Sequence, residues 1–290
     1  MIFDYCILGA GISGSLIATK IESLGKSFCL IDKGRSVGGR LSCKRMGSIY
    51  FNHGLQSLDC NIQDRTWIKE LIKDKSLSET APYKILIPAN QVVKKILNNI
   101  PTLTNEEIVN INYLNSIFSL QSKSGNEWAA KKVICTFPAP QALKIFNNHL
   151  TSEQSTLLES VSYTKKLICF TDSKITQDIN TDYTINQSAD FSMISFSKNI
   201  SEKYFELPDN EILIHLKKNF YDLFKFTEIE QLQLKKWRYV NCESSILQKY
   251  LVNKSNNLYL TGDYFGLQSD SSLERTISSA EFIFNLLERH

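Results

Sequence analysis

Gly9, Gly11 and Gly14 stand in G-x-G-x-x-G spacing directly after an apolar run, Ile2 to Leu8, and Asp32 closes a second apolar run, Ser27 to Ile31. These residue types in this order suit a dinucleotide. Gly9 permits a tight turn out of a strand, Gly11 lets backbone approach a pyrophosphate, and Gly14 lets a helix pack closely on a sheet. The helix N-terminus offers N–H groups and a positive dipole end to the phosphates. Ile12 and Ser13 lie inside the same turn. Asp32, 18 residues beyond Gly14, can accept from a ribose diol, and its charge argues against a 2′-phosphate there. The bland reading is a glycine-rich turn with no ligand. Against it stand helical apolar spacing over Ser15 to Leu24, a stop at Gly25, and the acid ending the second strand.

A second set follows at once. In KGRSVGGRLS, Gly38 and Gly39 lie between Arg35 and Arg40, which suits a loop passing close to a phosphate with guanidinium as counter-charge. A basic surface turn is the plain competitor. An ordinary NAD domain has no need of this second loop. In SIYFNHGLQSLD, His53 and Gln56 flank a turn at Asn52-His53-Gly54 and can face a ring edge or a substrate; a turn histidine with structural hydrogen bonds reads the same way. Trp237-Arg238-Tyr239 is an aromatic-cation-aromatic run fit to wall a flat or anionic substrate, or to be a strand with one buried face. Gly262 and Asp263 end the apolar strand Asn257 to Leu260, ahead of a helix over Thr276 to Glu288.

The elements that must position these groups follow from periodicity. Residues 61 to 80 read as an amphipathic helix with Trp67, Leu71 and Ile72 inward and Lys69, Glu70 and Lys73 solvated. Gln91 to Asn98 reads as a helix. Ile108 to Tyr113, Ser116 to Ser122 and Lys132 to Cys135 read as strands, with a turn at Lys123-Ser124-Gly125-Asn126. Lys166 to Thr171, Tyr183 to Ile185, Phe191 to Ser195 and Ile212 to Leu216 are further strand candidates, and Glu153 to Val161 and Phe220 to Phe226 are helix candidates. Strands with helices on one side suggest an α+β domain. Phe191, Phe196, Tyr204 and Phe205 read as core, with a pocket lining as the other option.

Composition excludes several classes. The 290 residues suffice for one large or two interleaved domains. With 33 basic and 30 acidic residues the net charge is +3, which gives no reason to expect nucleic acid or a membrane surface as partner. No apolar run approaches the roughly 20 residues of a membrane span, and no signal peptide is read. Seven scattered cysteines with no C-x-x-C pair predict reduced thiols and a cytoplasmic setting. The four histidines, His53, His149, His215 and His290, have no metal-ligand spacing.

These motifs resemble the renalase-like proteins of the FAD-dependent amine oxidase superfamily. KGRSVGGR is similar to the segment after the βαβ unit in that superfamily. FNHGLQSLD resembles F-D-H-G-A-Q-Y-F-T, matching at Phe51, His53, Gly54 and Gln56 and departing at Asn52 and Leu58. PAPQAL at residues 138–143 is close to the family's turn after a β-meander, and Trp237, Arg238 and Tyr239 match R-W-R-Y-A. The resemblance is strong over residues 1–60, 131–145 and 255–290, well under half of the chain.

The resemblance implies an α/β fold: a Rossmann-like FAD-binding domain of the GR2-type flavoproteins, from residues 1–60, 95–145 and 242–290. An inserted α+β substrate domain takes residues 61–94 and 146–241. It implies FAD, held by Gly9, Gly11, Ile12, Ser13, Gly14, Asp32, Lys33, Arg35, Gly39, Arg40, Leu41, His53, Gly54, Val109, Gly262, Asp263 and Arg275. In that picture Val109 meets adenine through its backbone (an ordinary core valine being the competitor), Asp263 takes a ribitol hydroxyl, and the last helix aims its N-terminus at the flavin N1–O2 edge. His53, Gln56, Trp237 and Arg238 are the implied catalytic residues. The implied activity is an oxidase: hydride passes from a small substrate, such as dihydronicotinamide nucleotide isomers, to flavin N5, and O2 reoxidises the flavin to give H2O2. An amine oxidase acting on a C–N bond and a flavin binder without turnover are the alternatives. A carotenoid-type desaturase would want a longer chain and a membrane-facing apolar surface. A covalent flavin link through His53 or a cysteine is a minor variant. Leu273-Glu274-Arg275-Thr276 replaces the family's V-E-G-A, so Arg275 either places a cation at the pyrimidine edge or obstructs it. Pro88-Ala89-Asn90 replaces a common Pro-Gly-Met, and residues 264–272 lack the usual G-R segment.

Overall fold

The computed structural model describes residues 1–62, 65–175, 180–188, 190–225 and 227–288. They form two units, one from Met1–Ser42, Gly54–Ser162 and Cys242–His290, the other from Cys43–His53 and Tyr163–Asn241.

The first unit is built on four parallel strands in the order Phe28–Ile31, Ile2–Leu8, Glu127–Cys135, Leu258–Leu260, with Leu251–Val252 antiparallel at the far edge. Tyr5 to Leu8, Val133 to Cys135 and Leu258 to Leu260 are buried without alternation, as strands covered on both faces must be. Glu127–Cys135 runs longer than predicted because its first half also pairs antiparallel with Ile117–Ser122, which pairs with Ile108–Leu114. That is the expected meander, with Gly125 at φ +92° in its turn. The helices Ile12–Ser23, Ala89–Leu97 and Ser272–Leu287 share one core through Ile17, Ile21, Val92, Val93, Ile277 and Ile283. Thr66–Lys73 is a shorter helix than the one expected over 61–80, and residues 63 and 64 lie outside the described residues. Lys75 takes a left-handed φ of +62° and ends it. Its buried residues are Ile68 and Leu71, with Trp67 and Ile72 half-buried.

The second unit is a four-stranded antiparallel sheet in the order Tyr183–Ser188, Phe191–Phe196, Lys166–Thr171, Gln233–Trp237. Leu167, Cys169, Ile194 and Phe196 pack one face against Lys198–Tyr204 and Asp209–Asn219. Ile168, Phe170 and Met193, on the other face, pack against a hairpin, Cys43–Met46 with Ile49–Asn52, through Met46 and Phe51. The hairpin turns at Gly47, φ +58°, and not at Asn52-His53-Gly54.

Two expectations change here. Ile212 to Leu216 is helix, not strand. Pro208 precedes Asp209–Asn219, acids fill its first turn and lysines its last, and the buried Ile212, Leu213 and Leu216 recur at helical spacing. The second is the division of the chain. Residues 43–53 go with the second unit because Met46 and Phe51 bury there. Residues 61–94 go with the first because Ile68, Leu71, Leu77, Val92 and Val93 join its core, and residues 146–162, also expected in the substrate domain, belong to the first unit as well. The helix candidate at Phe220 to Phe226 appears as Tyr221–Phe224; Phe226 and His290 are outside the described residues. Among the described residues no helix is long and apolar enough to cross a membrane, no His, Cys, Asp and Glu cluster could hold a metal, and all seven cysteines are free thiols.

Candidate functional site

The parallel strands of the first unit end together in Gly9, Asp32, Thr136 and Thr261-Gly262-Asp263. Ligands of open parallel sheets bind beyond such carboxyl ends. The first turn is fixed from both sides. The Asp32 carboxylate accepts from the Ala10 N–H and the Gly34 N–H, each at 2.6 Å. Thr136 Oγ1 donates to the Leu8 carbonyl at 2.9 Å, and a Cβ at Gly9, where φ is +102°, would overlap that hydroxyl. A Cβ at Gly14 would overlap the Gly9 carbonyl oxygen, so Gly14 is dictated by helix-on-turn packing. Gly11 differs. Its Cβ would meet only Gly39 Cα at 3.8 Å and the Gly38 carbonyl at 3.9 Å. Gly11 caps the helix Ile12–Ser23 with no side-chain hydrogen bond, and the buried Ser13 hydroxyl has no partner within the protein. Helix amides, an orphan hydroxyl and an unfilled approach at Gly11 are what a pyrophosphate needs.

The second loop is strapped to the first: the Gly38 N–H donates to the Ala10 carbonyl at 2.8 Å. Leu41 is buried, whereas Lys33 and Arg35 point to solvent. Arg40 reaches the third strand end. Its Nη1 donates to Asp263 Oδ2 at 2.7 Å and to Ser272 Oγ at 3.1 Å, and its Nη2 to Thr276 Oγ1 at 3.2 Å. Ser272 Oγ also donates to Asp263 at 2.7 Å. The second and third candidate segments therefore meet through a charge-assisted cluster. Arg40 and Asp263 stand in recognisable motifs of the sequence, whereas Ser272 and Thr276 carry no such signal.

Arg275 goes elsewhere than expected. The helix Ser272–Leu287 begins four residues earlier than predicted, because the Ser271 hydroxyl accepts from the Glu274 N–H. Arg275 thus lies in the first turn, 3% exposed. Its Nε donates to the Asp263 carbonyl at 2.6 Å, its Nη1 to those of Asp270 and Leu267 at 2.6 and 3.4 Å, and its Nη2 to that of Cys242 at 3.1 Å. The guanidinium is a clamp on the loop 263–270. The signal was present: Ser271-Ser272-Leu273-Glu274 is an S-x-x-E capping pattern.

Val109 falls at a register shift between Ile108 and Asn110, opposite no residue of the neighbouring strand, and its side chain is exposed. Just before it, the Asn105 and Glu106 N–H groups donate to the Gly34 and Asp32 carbonyls, so Val109 lies within about 10 Å of chain from the ribose-side acid. A Cβ at Gly54 would overlap the Arg40 carbonyl, and Gly262 lies under the Tyr264 ring, 2.7 Å from where its Cβ would be. Gln56 is exposed, and its carbonyl accepts from the Ile85 N–H.

His53, Trp237 and Arg238 belong to the second unit. Trp237 Nε1 donates to His53 Nδ1 at 3.1 Å, which makes Nδ1 the acceptor and leaves the proton of the neutral ring on Nε2. Burial first, then the charges of Lys235 and Lys44, pull the His53 pKa down to about 4. The imidazole is neutral at physiological pH. Arg238 is held by Glu206 in a two-point pair at 2.8 and 3.2 Å, and Glu206 also accepts from Lys165 at 2.7 Å. Arg238 is thus a neutralised surface cation, not a bare one facing a substrate.

A family model described as an NAD(P)-binding Rossmann-like domain matches residues 7–74. No curated protein matches the sequence. Among solved structures, a putrescine oxidase bound to putrescine is similar at TM-score 0.65 and 10% identity, over 100% of both chains. A cyclohexylamine oxidase from Brevibacterium oxydans IH-35A is similar at TM-score 0.62 and 12% identity, again over 100% of both. A protein assigned as a protoporphyrinogen oxidase from Exiguobacterium sp. 255-15 is similar at 0.63 and 10%, over 98% of both. At these identities the shared property is the fold, an α/β architecture with a Rossmann-like domain.

Proposed function

We propose that the protein is an FAD-dependent oxidoreductase of the amine oxidase superfamily, acting as a renalase-like oxidase on a small substrate in the cytoplasm. One observation carries the cofactor assignment. Of the three fingerprint glycines, Gly11 alone has no packing reason to be glycine, and it adjoins a buried Ser13 hydroxyl with no protein partner. The residues fit the group: Gly11, Ser13 and the amides of the first helical turn would hold the pyrophosphate, Asp32 a ribose, the bulged backbone at Val109 the adenine, and Asp263 a ribitol hydroxyl. Arg40 orients Asp263 by pairing with it. FAD, when bound, supplies the two-electron acceptor that the protein side chains lack.

In this reading the dihydronicotinamide nucleotide isomers remain the substrate class, with O2 as acceptor. The candidate catalytic residues are His53, Trp237 and Gln56; Arg238, held by Glu206, is not among them. His53 is a neutral hydrogen-bonding group oriented by Trp237, not a base that gains a proton near pH 7. The test is a visible spectrum of the purified protein, followed by anaerobic mixing with aged NADH containing its isomers. Flavin that bleaches supports the reading. Flavin that bleaches only with a primary amine moves the substrate to a C–N bond, flavin that bleaches with neither leaves a binder without turnover, and a colourless protein after reconstitution with FAD sinks the assignment.

A further inference from the structure

We propose that Lys44 and Lys235 receive an oxyanion of the substrate, a phosphate or a carboxylate, on the sheet face of the second unit that carries His53 and Trp237. The inference rests on the functional reading only in treating that face as the one substrate meets.

The two lysines converge on one imidazole. Lys44 Nζ lies 5.2 Å from the centroid of Phe170, and Lys235 Nζ lies 5.4 Å from that of Trp237. Those two rings flank His53, at centroid distances of 5.7 and 5.5 Å. Four other lysines of this unit have carboxylate partners, Lys165 with Glu206, Lys198 with Glu202, Lys217 with Glu228 and Lys236 with Asp209, while Lys174, Lys203 and Lys218 lie away from His53 without one among the described residues. Lys44 and Lys235 have none among the described residues. Nor does Lys166, half-buried and paired in register with Trp237. Residues paired across an antiparallel sheet share a face. The positions that share this one are Lys166, Ile168 and Phe170, then Trp237, Lys235 and Gln233, then Ser195 and Met193 with Thr184 and Asn186. None is acidic.

The arrangement carries an electrostatic cost. Burial and then Lys235 lower the Lys44 pKa, burial alone lowers that of Lys166, and both Lys235 and Lys44 hold down His53. An anion between the two ammonium groups turns this repulsion into attraction. An alkylammonium substrate meets a field of its own sign. The geometry therefore favours an anionic substrate over simple amines of the kind named for the similar oxidases.

The experiment titrates flavin-loaded, full-length protein with inorganic pyrophosphate and, separately, with succinate, by calorimetry at ionic strength fixed with sodium chloride. K44Q, K235Q and K235R are run beside the wild type. Saturable binding of at least one anion is expected. It should weaken at least about tenfold in K44Q and K235Q, the scale of one charged hydrogen bond, and be largely kept in K235R. Which anion binds assigns phosphate or carboxylate. No saturable binding, or equal binding in wild type and both glutamine variants, overturns the proposal. Flavin absorbance on the same samples separates the two ideas: protein without flavin whose anion binding still depends on both lysines refutes the cofactor assignment and keeps the anion site.

Discussion

A methyl group at Gly14 would collide with the Gly9 carbonyl, whereas one at Gly11 would touch only Gly38 and Gly39 at ordinary contact distance. Two substitutions of equal size should therefore fail differently. Gly14→Ala should lower the melting temperature sharply or prevent folding, because backbone must move in a packed turn. Gly11→Ala should melt close to wild type yet purify with less flavin, and Gly11→Val with none; thermal melts and visible absorbance on the same preparations check both. His53 makes a second prediction. Its pKa falls from an ordinary value near 6.5 to about 4 in the folded protein, so the unfolded chain binds more protons between those values. Stability from this group is full above about pH 6.5 and is lost as pH falls toward about 4. His53→Gln should flatten that part of the curve in urea titrations run from pH 7 to pH 4. At this scale the cradle was legible, since Gly9, Gly11, Gly14 and Asp32 announce themselves by spacing. Lys44 and Lys235 were not, because nothing in a sequence shows that two lysines 191 positions apart lack carboxylate partners.

The loop 263–270 is organised from the first turn of the last helix. Arg275→Met would leave the carbonyls of Asp263, Asp270 and Cys242 without their shared donor, while that of Leu267 keeps the Asp270 N–H. A loss on the order of 3 kcal/mol is expected, since each buried carbonyl left unpaired costs about 1–3 kcal/mol and neighbours relax in part. Equilibrium unfolding in urea measures it, and the flavin content of the variant should drop as Asp263 loosens. Placing glycine there, as the similar family does, would carry the same penalty in this chain, so the loop and Arg275 form one unit of design. Elements with a strong period were readable: the first strand, the glycine-rich helix, the meander and Lys166–Thr171 lie where expected. Asp209–Asn219 is hard to read because Ile212 to Leu216, taken alone, is a short apolar run of strand length, and only Pro208 and the end charges mark the helix. The hairpin at Cys43–Asn52 is faint in the sequence because its turn rests on a single glycine, Gly47.

Both insertions of the second unit leave and re-enter the first at neighbouring points. The Glu243 N–H donates to the Ser162 carbonyl at 2.9 Å, and the Leu55 N–H to that of Arg40 at 2.9 Å. Replacing residues 43–53 and 163–241 by short glycine-serine linkers should therefore leave a first unit that still takes up FAD but turns nothing over, as visible absorbance and an H2O2 assay would show. Flavin lost with the insert would mean that the first unit does not hold it alone. The order of the segments was legible from the motifs; the boundaries were not, since they depend on which core Phe51, Ile68 and Val92 enter. The pairing of Arg40 with Asp263, 223 residues later, reaches into the life of the chain before it folds. At ordinary rates of synthesis Asp263 emerges on the order of ten seconds or more after Arg40. Until then the sheet lacks its fourth parallel strand, Leu258–Leu260, which pairs with Glu127–Cys135, and the cradle lacks its third wall. A nascent chain paused anywhere in between carries a complete G-x-G-x-x-G turn but half a cradle, so the proposed assignment predicts that FAD loads late, and flavin colour in a ribosome-release experiment would report that the last helix has been made.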